Sequence, residues 1–302
     1  MKLQAIPAAR RRRRANLEGG YFWFIAPAAI VVGAVIVFPW VFTLYMSVNA
    51  WKLGGTREFV GLANFARLFT DDRFAWSVAR TLYFTLLAVV APVALGIAAA
   101  VAFNRKFPLR GLFRTIFILP MMATPVAIAL VWTMMFHPQL GVLNYLLTSV
   151  GLPPSQWVYH ADSVIPTLVM VETWHWTPLV MLIVLGGLAA LPADPFEAAK
   201  IDGASHWQVF RHVTWPLLLP YVAVAAIIRT IDALKAFDTI FVITQGGPGT
   251  ASETINILLY LNAFAYYELG YASAMVLVFF VLIVVLSLVM LVWRQRLAEA
   301  TK

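Results

Sequence analysis

The sequence predicts an all-α membrane protein with six transmembrane helices and both termini in the cytoplasm. Three observations carry that reading. Of 302 residues, 62% are hydrophobic and only 12% are charged, against roughly 45–50% apolar and about 25% charged in soluble globular domains. The apolar residues gather into six runs, and a helix of about 20 residues at roughly 1.5 Å per residue spans a hydrocarbon core of about 30 Å. The basic residues then fall unequally on alternate sides of those runs. Such a chain is too apolar for disorder, and with no cysteine it holds no disulfide framework, thiolate metal site or cysteine nucleophile.

The runs cover 21–48, 81–103, 112–135, 165–188, 216–241 and 273–293. Once in lipid, a backbone must satisfy its own hydrogen bonds, so each is expected to be helical even though Pro39, Pro92, Pro125 and Pro178 fall inside them. Trp23 and Trp293 stand near run ends, where aromatic belts lie. The first run is longer than a signal-peptide core of about 7–15 residues and lacks a small-residue cleavage pattern, so it is expected to be retained.

Fifteen bases precede the first run, follow the sixth or sit in the second and fourth loops; five, namely Lys52, Arg57, Arg67, Arg73 and Arg80, sit on the other side. This places the loops at 49–80, 136–164 and 242–272 outside. The resulting organisation is a basic cytoplasmic tail (1–20), a transmembrane unit (21–293) and a short cytoplasmic tail (294–302). The arginines at 10–14 read as an anchor to anionic headgroups rather than a nucleic-acid arm. In the last outward loop, Gly246 to Gly249 is expected to turn, and Asn262, Tyr266, Tyr267 and Glu268 to belong to a short interfacial helix.

The fourth loop, 190–216, carries the most local information. Asp194 is placed to cap a short helix with Pro195 in its first turn and Glu197 as capping-box partner, ending near Gly203. Ser205 with Gln208 caps a second short helix that is expected to run until Pro216. This unit would present Ala198, Ala199 and Ala204 as small contact points and Phe210 as a large apolar one. A docking surface for another protein and a connector folded on its own bundle both fit these residues.

Glu197-Ala198-Ala199, Asp202-Gly203-Ala204, Phe210, Pro216 and Pro220 resemble the EAA signature loop of permease subunits of binding-protein-dependent ABC importers. Residues 59–65, 112–120 and 237–248 resemble the sugar-type branch of that family, so the likeness extends over about 21–293. The resemblance implies the type I permease fold, a second homologous permease, two copies of a cytoplasmic ATPase that hold the ATP and Mg²⁺, and an extracytoplasmic solute-binding protein. It also implies that the loop is a coupling element seated in the ATPase, with Glu197 as a charged contact and Gly203 as the bend. The solute would be a sugar, a sugar alcohol or a glycerol phosphate. The chain itself lacks a G-x-x-x-x-G-K-[ST] loop, so no ATP site, cofactor or catalytic residue is expected in it.

Ionisable residues within the runs have two readings. Glu172, Trp174, Trp176 and Asp232 are candidates for the solute path, since aromatic faces and carboxylates suit sugar rings and hydroxyls. Alternatively, Arg229 pairs with Asp232, Glu172 bonds to a neighbouring helix and Lys235 snorkels outward. Glu172 and His175 have the spacing of half a di-iron helix motif but lack its other half, so no metal is expected. A secondary transporter or channel is the competing class, but no inverted repeat and no convincing filter is evident.

Overall fold

The computed structural model describes residues 8–52 and 54–300, with side chains over 23–52 and 54–296. The side chains at 10–14, read as a headgroup anchor, lie outside the described residues. Helix α1 (Ala8–Ser47) keeps Pro27 and Pro39 within it. It rests on the last helix, with the Trp40 ring 4.4 Å from that of Phe280. From Trp23 to Tyr45 none of its residues is buried against the chain itself; only Met46 and Ser47 at its end are.

After α1, a short antiparallel pair, β1 (Asn49–Ala50) with β2 (Glu58–Phe59), leads to α2 (Ala63–Thr70). Helix α3 (Asp72–Asn104) starts well before the apolar run at 81, because Asp71 accepts hydrogen bonds from the backbone N–H groups of Arg73 and Phe74 and so caps it. Arg73 and Arg80 therefore ride on its outer turns instead of in a loop.

The third run, expected as one helix, is two. Helices α4 (Arg110–Met122) and α5 (Pro125–Met135) meet at 96°. Pro125 disfavours helical backbone in the residue before it, and Ala123 and Thr124 are both extended, with ψ 150° and 144°. Pro92 and Pro178, by contrast, stay inside continuous helices. After α6 (Val142–Ser149) and a single turn at Trp157–Tyr159, α7 (Ala161–Ala189) crosses the centre of the bundle.

Two short helices, α8 (Asp194–Ile201) and α9 (His206–Val209), precede a wide turn at Phe210–Thr214 and α10 (Trp215–Leu234). The fifth span thus differs from the expected 216–241. The continuous helix that holds it runs from His206 to Leu234. Its end is fixed by Asn256, whose side-chain amide donates to the carbonyls of Leu234 and Ala236 at 2.9 and 3.1 Å and satisfies groups the broken helix frees. The chain then turns back into α11 (Asp238–Thr244), which packs on α5. Helix α12 (Ile255–Tyr260) widens through Leu261–Ala265 and includes Asn262, whereas Tyr266 to Glu268 form the turn into α13 (Leu269–Ala300). Among the described residues five helices are long and apolar enough to span, or six spans if the bent pair counts as one.

Helices α3 and α7 form the axis of the core, made possible by small residues at their closest approach. A Cβ on Gly96 would stand 2.6 Å from Cβ of Val180, and one on Gly187 would stand 2.6 Å from Cγ of Tyr221 on α10. Phe84, Trp132, Phe136 and Leu168 fill the outer half of the core; Val180, Met181, Val184 and Leu218 fill the inner half.

Candidate functional site

At the inner end, α8, Gly203 and α9 form a bent element joining α7 to α10. The expected cap at Asp194 is not formed. The helix starts from Ala193, itself already helical, and no side chain caps it. Asp194 and Glu197 instead supply negative charge to its first turn. Gly203 makes the bend at φ +69°, in the left-handed region that favours glycine. The second capping box is present as expected: the Ser205 N–H donates to Oε1 of Gln208 at 2.7 Å, and the Gln208 N–H to Oγ of Ser205.

Pro216 does not end this second helix. It enters α10 in the first turn, directly after the wide turn in which the Trp215 N–H reaches back to the Phe210 carbonyl. An ordinary helix would press the proline ring onto the carbonyl four residues earlier, and the widened turn relieves that clash. Pro220 lies one turn further on, inside α10. Glu197, Ala198, Asp202 and Gly203 are exposed, Ala199, Ala204 and Phe210 half-buried. Glu197 has no ion-pair or hydrogen-bonding partner among the described residues.

In the bundle interior, Arg229 is only 1% exposed and Glu172 is 4% exposed. Their partners correct the expected Arg229–Asp232 pair. Arg229 Nη2 lies 3.3 Å from Oε2 of Glu172 and 3.3 Å from the Ala88 carbonyl of α3. The guanidinium also stands 4.9 Å from the centroid of the Trp176 ring, and Thr239 of α11 approaches the same carboxylate. Four helices meet there. Asp232 instead faces Lys235 at 3.8 Å, near the outer end of α10. The His175 ring is buried, 4.6 Å from Trp176, and meets the backbone of Ala123 at the α4–α5 bend.

Of the four candidate path residues, Trp174 alone is exposed, at 46%. It meets Trp132 edge to face at 5.7 Å and borders a cavity of about 710 Å³ between α3, α4 and α7, where the buried Thr173 hydroxyl finds no partner. Trp176 is half-buried beneath Arg229.

The outer rim holds polar links that sequence reading missed. Glu268 takes Lys52 at 2.7 Å and Arg67 at 2.8 Å. Arg73 makes two bonds to Glu253, at 2.8 and 2.7 Å, and the Tyr271 hydroxyl donates to Asp71 at 2.6 Å. Burial alone would raise the Glu268 carboxyl, but the bonds from Lys52 and Arg67 outweigh it and hold it below the usual carboxylate range. These links tie 49–73 to 253–271. The outward loops hold six acids and five bases, so the residues alone leave these pairings open.

The fold and these sites can be set beside known proteins. Residues 92–299 match the family described as "Binding-protein-dependent transport system inner membrane component". The chain is 36% identical to the probable ABC transporter permease protein y4oQ of Sinorhizobium fredii, over 96% of each chain. It is also 36% identical to the trehalose/maltose transport system permease protein MalF of Thermococcus litoralis, over 90% of this chain and 92% of that one. The fold superposes on a chain of a bacterial ABC transporter that imports the acidic polysaccharide alginate, with a TM-score of 0.81, 21% identity and coverage of 94% and 99%. The apolar spans, the broken third run, the bent element between α7 and α10 and these matches make the chain a member of the binding-protein-dependent transport family, a multi-pass, non-catalytic inner-membrane permease of an ABC importer.

Proposed function

We propose that this permease forms half of the translocation pathway for a sugar or related polyhydroxylated solute and is driven through the α8–α9 element by a cytoplasmic ATPase. One observation carries the coupling role. An exposed, bent pair of short helices bearing an unpaired Glu197 is joined at one end to α7 and at the other to α10, so a push on it reaches both central helices. Ala198 and Ala199 give the close-packing surface, Asp202, Gly203 and Ala204 the bend, Phe210, Pro216 and Pro220 the join to α10. ATP and Mg²⁺ belong to the ATPase, of which two copies would serve the complex.

A second, homologous permease completes the pathway in this reading, and an extracytoplasmic binding protein delivers the solute. The unburied length of α1 is consistent with a helix that packs beyond its own bundle. The sugar class is supported by relatives named for trehalose and maltose and for sulfoquinovosyl glycerol. Within the pathway, Trp174 supplies an open aromatic face for a sugar ring, while Glu172 and Trp176 hold the wall behind it and Asp232 lies toward the outer end. The test is uptake of labelled trehalose, maltose and a polyol by the importer reconstituted with its binding protein. ATP-dependent uptake of one of them, lost when the ATPase is omitted, is the expected result; uptake indifferent to the ATPase would favour a secondary transporter.

A further inference from the structure

The inner end of α3 and the α9 turn enclose a groove of about 1000 Å³ that the coupling role leaves unexplained. Ala94, Ala98 and Val101 line one wall. Their spacing puts them on one face of α3 over about 10 Å of helix, at roughly 1.5 Å per residue. Phe210 and Leu188 face them. The mouth is polar and positive, formed by Asn104, Arg105 and His206, with no acidic residue in the lining.

Two further observations identify the occupant. Among the described residues, the ion pairs lie on the outward side or within the spans; none involves Arg105, Lys106, Arg110, Arg114 or Arg211. The charge of Arg105, the one arginine in the lining, is therefore unspent. Beside it, Trp207, 67% exposed, stacks on Phe210 at 5.7 Å, and Phe210 stands 6.3 Å from Trp215. Aromatic rings of this kind mark the headgroup level of a membrane.

We propose that this groove binds one anionic phospholipid of the cytoplasmic leaflet. An acyl chain lies along Ala94, Ala98 and Val101, and the phosphate meets Arg105 and Asn104 at the mouth. A basic pocket between spans on the cytoplasmic side suits an anionic headgroup, whereas a neutral lipid would leave the guanidinium without a counter-charge. A protein partner would have to fill a trough whose long axis runs along a membrane helix, beside the unpaired Arg105.

The test uses the assembled importer in nanodiscs of phosphatidylcholine containing graded phosphatidylglycerol, with bound lipid counted by native mass spectrometry. Wild type is expected to retain phosphatidylglycerol in preference to phosphatidylcholine. Arg105→Gln is expected to weaken that retention about fivefold, the equivalent of about 1 kcal/mol for one basic side chain at an anionic surface. Ala98→Trp, on an exposed face of α3, fills the groove without removing charge and is expected to lose one phosphatidylglycerol per complex. A photoreactive side chain at Ala98 is expected to label lipid. Equal retention in wild type and both variants, no headgroup preference, or labelling of a protein subunit instead of lipid would overturn the assignment.

Discussion

Arg229 on α10 and Glu172 on α7 form a buried ion pair at 3.3 Å, and the same guanidinium also bonds to the Ala88 carbonyl of α3. The three most central helices are thus joined at one point. A buried pair is expensive to half-remove, because the surviving charge keeps its desolvation cost and loses its partner.

Glu172→Gln alone is therefore expected to destabilise the assembled importer by about 3–5 kcal/mol, and Arg229→Met alone by a similar amount. The double variant is expected to regain most of that loss. Thermal unfolding of the purified complex in detergent measures all three; additive losses in the double variant would show that the two side chains act separately.

Glu197→Lys and Gly203→Pro are expected to insert and assemble while separating ATP hydrolysis from uptake. At Gly203 nothing stands within 4 Å of an added Cβ, so Gly203→Ala meets only the backbone cost of a left-handed conformation, about 1–2 kcal/mol. Uptake per ATP hydrolysed should therefore fall far more with proline than with alanine. Normal coupling in both Glu197→Lys and Gly203→Pro would remove the coupling role.

Gly96 is limited by space rather than by backbone. An added Cβ would meet the buried, branched Val180 at 2.6 Å, so Gly96→Ala is expected to push α3 from α7 and cost about 1–3 kcal/mol. Pairing it with Val180→Ala should return part of the loss, read as complex yield and melting temperature.

Glu268 gives a pH dependence. Its folded carboxyl sits below the usual range, so its contribution is fully present above the unfolded value of about 4.3 and is lost as pH falls from there through the lower folded value. A spin label on Thr56→Cys, in a chain with no other cysteine, should stay restrained at neutral pH and gain mobility in acid. Glu268→Gln should show that mobility at every pH.

Trp174→Ala is expected to change the KM or maximal rate of uptake with the complex intact, because the residue is exposed and its ring holds no buried charge. Trp176→Ala should act mainly on assembly, since it uncovers Arg229. Equal loss of assembled complex in both would place Trp174 in the scaffold instead of the path.

Much of this was readable from residues near one another in the chain. Helix ends set by Ser205 with Gln208, or by Gly203, depend on groups within a few residues, and both appear where the local chemistry puts them. The same reasoning failed at Asp194, where Ala193 adopts helical backbone and leaves the side chain nothing to cap. It also failed at Pro125 and Leu234. Proline inside a run is tolerated or breaks the helix according to what neighbours can satisfy, and the partner at Leu234 is Asn256, twenty-two residues away.

What the sequence by itself determined is the membrane class, the number of apolar runs, the sidedness of the basic residues and the place of the bent element, because composition, length and charge act on each segment almost independently of the others. Only the tertiary structure decided that Arg229 meets Glu172 and not Asp232, that Trp174 is open while Trp176 is covered, and that Glu268 binds Lys52 and Arg67. A buried charge is bound by whichever opposite charge the packing of distant helices brings within reach, and spacing along one helix cannot reveal it.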